Sequence, residues 1–228
     1  MPTYSVTNLQ LFSQLMSQGY SREDLQRVHR AYEIARLLFS GRFIASGRSQ
    51  LSHCVGTASI LAVWGAPAHL VAAGLLHNVY RNGDFGDGKY RISRNKRSIL
   101  RELLNRDIEE EIANFALLKW NEKTISHFIL GKGPLTNNLV FLRLADLLDH
   151  NVDGGAFYDH AHLKGKMSKF TNIPPYIIQS ALVLGLPGLA KELERVKRNN
   201  EASRPFEHFY VKYGRHGGVR IIPSSFVK

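Results

Sequence analysis

The sequence predicts an all-α protein. Apolar residues recur at three- and four-residue intervals along most of the chain, capping residues stand ahead of those stripes, and no convincing alternating run of apolar and polar residues occurs before the last twenty residues. With 228 residues, of which 44% are hydrophobic and 21% charged, the chain is long enough for one sizeable core. One helical domain is expected over 1–203, followed by a basic and aromatic tail over 204–228.

Leu9, Phe12, Leu15 and Met16 make the first stripe, which stops before Gly19. Ser21 with Asp24 forms a capping box, and the stripe behind it runs through Leu25, Val28, Tyr32, Ala35, Leu38 and Phe39 to Gly41. A loop, "SGRFIASGRSQ", leads to helices predicted at about 50–64 and 67–80, the second entered through Pro67 as a first helical residue. "RNGDFGDGKYR" holds three glycines and two aspartates and reads as a turn-rich loop. Its Asp84 and Asp87 are read as turn formers, with metal ligation as the sharper alternative. Ser93 opens a helix through Leu104, Asp107 with Glu110 opens another to about Lys119, and Thr136 caps "NNLVFLRLADLLDHN". Further helices are predicted at 156–170, 175–184 and 187–199. The tail from Arg204 is read as a docked extension or a short hairpin. Tyr210, Lys212, Tyr213, Arg215 and Arg220 would serve a nucleic-acid reading of it, but no recognised nucleic-acid motif accompanies them.

Lys and Arg number 30 against 19 Asp and Glu, a formal net charge of +11. Such a balance draws anionic partners, whether phosphorylated metabolites, nucleic acid or acidic proteins, although a basic surface also serves solubility alone. No apolar run approaches the roughly 20 residues of a membrane span. The N-terminus "MPTYSVTNLQLF" lacks the basic start and apolar stretch of a signal peptide, so a cytoplasmic protein without a membrane partner is expected. The lone Cys54 rules out an intramolecular disulfide and any multi-cysteine zinc site, and its apolar neighbours mark it as a buried structural thiol.

The helix at 67–80 runs "AAGLL" straight into His77 and Asn78, side chains that are costly to bury without a partner. His77 shares a face with Leu70, Ala73 and Gly74, so its ring points coreward. His53 sits on the preceding helix, and Gly56, Ala58, Ala72, Ala73 and Gly74 let the two helices approach closely. Downstream, Asp146 interrupts a Leu-rich helix and needs a cation. Arg143, three residues earlier, is the local candidate; a divalent metal shared with His53 and His77 is the other, since two imidazoles and a carboxylate suit zinc, manganese or iron.

These residues carry a resemblance. His53, then His77, then Asp146 in "RLADLLDHN", framed by "SGRSQLSHCVGTASILAVWGAP" and "LVAAGLLHNVY", resembles the HD-domain superfamily of helical metal-dependent phosphohydrolases, nearest in pattern to the alarmone hydrolase domain. The resemblance covers roughly residues 22–170 and implies an HD-like helical bundle with a divalent metal, manganese, zinc or iron, on His53, His77 and Asp146. It departs at Asn78, where the family has Asp and where a neutral amide is the weaker ligand. It departs again at "VYRNGDFG", where Arg81 and Asn82 replace the acidic pair taken to activate water.

The resemblance implies a hydrolase of a phosphorylated small molecule, a nucleotide among the candidates, with Asn78, Asp146 and Arg81 as the catalytic group and Arg42, Arg48 and Arg81 gripping phosphate oxygens. The alternative is an inactive HD-like module that binds a nucleotide or a protein partner. A third reading, an HD-type iron oxygenase, asks for extra histidines, and between 78 and 146 only His127 is available. His77 and Asn78 could also do no more than cap their own helix end.

Overall fold

Thr7 accepts a hydrogen bond from the backbone N–H of Gln10 at 3.3 Å, and the Gln10 side chain accepts the Thr7 N–H at 3.2 Å, so two donors of the first turn are satisfied. Helix α1 (Asn8–Ser17) starts there. The structure, a computed structural model, describes residues 2–44, 46–154 and 173–202. Of the stripe expected in α1 only Leu15 is core: Leu11 and Leu15 are buried, whereas Leu9 and Met16 are exposed. The rotation of the helix is set by a polar clamp, in which the Gln14 side chain donates to the Ser59 carbonyl at 3.0 Å and accepts from the Ser59 hydroxyl at 2.6 Å.

The Ser21–Asp24 capping box opens α2 (Arg22–Leu38), and Ser49 caps α3 (Gln50–Val63). Pro67 is the cap of α4 (Ala68–Leu76) rather than its first residue. The predicted continuous helix over 67–80 is interrupted, because Asn78, with φ −97° and ψ 6°, separates α4 from the short α5 (Val79–Asn82). Ser93 caps α6 (Arg94–Leu103) as expected. α7 (Arg106–Leu117) begins from Asn105, ahead of the expected Asp107 box, and Glu110 instead pairs with Arg106 at 2.7 Å. α8 (Glu122–Ile129), opened by an Asn121–Thr124 capping box, has no counterpart among the expected helices. Thr136 caps α9 (Asn137–Val152), and α10 (Pro175–Val183) and α11 (Pro187–Ala202) follow. The helix expected at 156–170 and the tail expected over 204–228 lie outside the described residues.

Among the described residues there is no strand, only an isolated bridge between Phe43 and Ser49, so the protein is an all-α bundle. Every residue of α4 except the half-buried His69 is buried, which is what a helix apolar on all sides requires. It packs on α2, α3 and α7, and α3 packs in turn on α9. Gly74 marks the closest approach of α4 to α3: a Cβ there would stand 2.7 Å from Leu61 Cδ1 and 3.2 Å from Ala58 Cα. This brings the end of α4, with His77, over the first turn of α3, with His53. No helix among the described residues is long and apolar enough to cross a membrane.

The loop after α5 is held by its own aspartates. Asp84 accepts the Gly86 N–H and Asp87 the Lys89 N–H, each at 3.0 Å, while Arg42 pairs with Asp84 at 2.9 Å and buried Lys96 with Asp87 at 3.0 Å. Both aspartates turn the chain, as their sequence context suggests. Glu109 on α7 is fully buried and takes the Tyr80 hydroxyl at 2.6 Å, Arg97 at 2.7 Å and Arg101 at 2.6 Å, tying α5, α6 and α7 together.

Candidate metal centre

α9 supplies four polar side chains on one face: Arg143, Asp146, Asp149 and His150, spaced by three, three and one residues. Asp146 and Asp149 are buried against α3, where His53 is buried, and His77 at the end of α4 completes the cluster. His53 Nε2 and His77 Nε2 are 3.1 Å apart, and Asp146 Oδ1 lies 3.3 Å from the first and 3.2 Å from the second. The structure thus brings together the three residues expected to bind metal.

Each ring is turned by a partner behind it. His53 Nδ1 lies 2.6 Å from Asp149 Oδ2, and His77 Nδ1 lies 2.7 Å from the Gly74 carbonyl oxygen. A carboxylate and a carbonyl only accept, so both Nδ1 atoms donate, and in the neutral rings both Nε2 lone pairs point into the cluster. Asp146 Oδ1 is buried and has no hydrogen-bond partner, while Oδ2 takes the Arg143 guanidinium. Three lone-pair-bearing atoms at 3.1–3.3 Å need a positive charge among them, either a proton on a ring nitrogen or a metal ion. Ligands on a tetrahedral ion with bonds of about 2.0–2.1 Å stand roughly 3.3 Å apart, so the donor set and its spacing fit a divalent metal. The buried group could hold one.

Electrostatics agree with a site built around a cation. Burial pushes the Asp146 carboxyl up, but Arg143, His53 and His77 hold it well below the ordinary carboxylate range. Burial works against a charged ring at His53 and His77, yet Asp146 and Asp149 beside the first, and Asp146 and Cys54 beside the second, outweigh it and raise each to about 9. Protons and a metal ion therefore compete for the same two Nε2 atoms. His150, whose ring centroid is 4.4 Å from that of His53, is held well below its ordinary value by burial and by the charge on His53, and stays neutral.

Asn78 does more than cap a helix end. It makes no side-chain cap for α5; its Nδ2 lies 2.7 Å from His77 Nε2 and 3.3 Å from His53 Nε2. It is only half-buried, and so forms the solvent side of the cluster. A family model described as a domain of unknown function (DUF6817) matches residues 38–119. That span contains His53, His77 and Asn78 and ends before Asp146. No curated protein matches the chain.

The expected phosphate-gripping arginines separate in the structure. Arg48 is committed to Asp149, through its carboxylate and its carbonyl, and to Asp153 at 3.4 Å, so it braces the carboxylate behind His53. Arg42 pairs with Asp84 and lies 5.1 Å from the Tyr90 ring centroid. Arg81 is exposed, close to the cluster in sequence and lining a recess with Arg143. Asn82, in the stretch that matches the family's acidic pair, donates to Gln50 at 2.7 Å. His127 is exposed on α8.

Sequence reasoning misses Asp149 and His150. Their signal is present: three and four residues after Asp146, they have to share its face. Gly56 supports them from α3, because a Cβ at that position would overlap Asp149 Oδ1 at 1.8 Å. Of the small residues expected to serve the α3–α4 contact, Gly74 does so, but Gly56 opens α3 toward α9.

Proposed function

We propose that the protein is a metal-dependent hydrolase of a phosphorylated small molecule, related in kind to the HD-domain phosphohydrolases that its sequence resembles. The observation that carries this reading is the convergence of His53 Nε2, His77 Nε2 and the buried Asp146 Oδ1 within 3.3 Å of one another. Burying these groups for packing alone would be expensive, and each imidazole is aimed by a partner of its own.

His53, His77 and Asp146 would hold the ion, with zinc, manganese and iron all suited to the donor set. A bound divalent ion supplies a Lewis acid and an activated water for attack at phosphorus. Asp149, braced by Arg48, keeps the His53 lone pair aimed at the ion. The Gly74 carbonyl does the same for His77. Arg143 keeps Asp146 ionised, and Asn78, at the solvent side, can present either edge of its amide to an incoming group. Arg81 adds positive charge at the mouth, within a protein whose formal charge is +11.

One observation favours the second reading, a binding module without turnover. Asn78 and Asn82 stand where the family that the sequence resembles carries carboxylates, and neither amide can take a proton from water. The test is release of inorganic phosphate from nucleotides and sugar phosphates with added zinc, manganese or iron. The hydrolase reading expects metal-dependent release that disappears in His77→Ala. Release no greater than the His77→Ala background with all three metals leaves the binding module.

A further inference from the structure

Beside the cluster lies a recess of about 180 Å³ walled by Arg81, Phe115, Leu118, Trp120 and Arg143. Two of its walls touch the cluster. Arg143 binds Asp146 Oδ2, and the Phe115 ring stands edge-on to His77 with centroids 5.1 Å apart and planes at 84°. The Arg143 guanidinium lies 6.0 Å from the Phe115 centroid and 5.8 Å from that of Trp120, and its side chain is only 10% exposed, so this cation is fixed in place. Arg81 is exposed, and Trp120 is half-buried.

We propose that this recess is a phosphomonoester pocket, in which Arg81 and Arg143 take the oxygens of one terminal phosphate group and Trp120 carries a flat part of the remaining ligand. The chemistry of the walls selects the anion: guanidinium forks match phosphate oxygens, and Arg81 adds a positive charge beside Arg143, whose own charge is shared with Asp146. Size selects what is enclosed. Pockets that bury a whole drug-sized ligand measure about 300–1,000 Å³. At about 180 Å³ the recess holds a phosphate and the first atoms of its ester, leaving a nucleoside outside against Trp120. The inference rests on the hydrolase reading only for the placing of the phosphate beside the metal residues; binding itself needs no turnover.

The test uses the full chain and inorganic phosphate as the probe. The protein has two tryptophans, and Trp64 packs against Gly188 elsewhere in the bundle, so a Trp64→Phe background leaves Trp120 as the fluorescent reporter. Phosphate should change Trp120 emission saturably, and Arg81→Gln should raise the phosphate Kd roughly tenfold or more, the scale of a lost charge-assisted contact. In calorimetry, Trp120→Leu should weaken adenosine monophosphate by a larger factor than it weakens phosphate, and adenosine should not bind. An unchanged phosphate Kd in Arg81→Gln, or no saturable phosphate binding to the parent protein, overturns the proposal. Phosphate release, measured separately, keeps the two readings apart. Binding without turnover leaves the pocket standing and removes the hydrolase, whereas turnover with unaltered binding in Arg81→Gln removes the pocket alone.

Discussion

Gly56 and Asp149 compete for one volume: a Cβ on residue 56 would stand 1.8 Å from Asp149 Oδ1, the carboxylate whose other oxygen lies 2.6 Å from His53 Nδ1. The absence of a side chain at residue 56 of α3 is therefore what allows Asp149 of α9 to reach His53. Gly56→Ala should displace Asp149, cost about 1–3 kcal/mol of stability through overpacking, and weaken metal binding roughly 10- to 100-fold. Urea unfolding and a metal titration read the two effects. Unaltered metal affinity in a folded Gly56→Ala protein would show that Asp149 does not orient His53.

Arg48 and Asp149 should behave as one unit. Asp149→Asn keeps the shape but removes the charge facing both His53 and Arg48, and a fall of roughly 10- to 100-fold in metal affinity is expected. Arg48→Ala leaves Asp149 buried without its main cation and should destabilise the fold by about 3 kcal/mol, near the lower end for breaking a buried pair because Arg48 is partly exposed. Since Arg48 is spent on Asp149, Arg48→Ala is also expected to leave phosphate affinity nearer to the parent value than Arg81→Gln does. The reverse order in a phosphate titration would return Arg48 to the ligand-binding group.

Asn78→Asp puts a carboxylate beside both Nε2 atoms, at the position where an amide nitrogen lies 2.7 Å and 3.3 Å from them. A charged oxygen is the stronger ligand, so the variant should bind a divalent metal about tenfold tighter or more and show a larger metal-induced rise in Tm than the parent. Melting curves with chelator, zinc, manganese and iron provide the comparison. A metal response equal to or smaller than the parent's would place residue 78 outside the reach of the ion.

Glu109 sets an acid limit on the fold. Burial pushes its carboxyl up, but Arg97, Tyr80 and Arg101 pull it down further, leaving it below the ordinary 4.5. With the folded value depressed, the unfolded chain binds more protons in that range, so stability rises with pH there. The Glu109 contribution is complete above about pH 4.5 and fades as pH falls through the folded value. Glu109→Gln should cost about 1–3 kcal/mol at neutral pH, discounted because Arg97 and Arg101 are partly exposed, and the gap to the parent should narrow below pH 4.5. A gap that stays constant to pH 3 in urea midpoints contradicts this account.

Much of the bundle is legible in the amino-acid sequence, because the caps Ser21 and Thr136 announce α2 and α9 and the apolar runs announce α3 and α4. α8 is not, since its eight residues bury only Ile125 and Phe128, too few to show a period. The inward face of α1 escapes for a different reason: its rotation is decided by Gln14 and Ser59, 45 residues apart. The three residues that could hold a metal, His53, His77 and Asp146, stand out as polar interruptions of apolar helices, and their meaning comes from spacing. What holds them is harder to read. Arg48 reaches Asp149 across 101 residues of sequence, and nothing local distinguishes it from an arginine waiting for phosphate. Phe115, Trp120 and Arg143 come from α7, the turn after it and α9, and only the fold shows that they share a wall.

The central claim, that His53, His77 and Asp146 form a working metal centre, is tested most directly by metal content. The full chain, purified without chelator or added metal, should contain close to one divalent ion per chain by elemental analysis, and His77→Ala purified in parallel should contain almost none. A parent protein with no more metal than His77→Ala, and with no rise in Tm on adding zinc, manganese or iron, would contradict it.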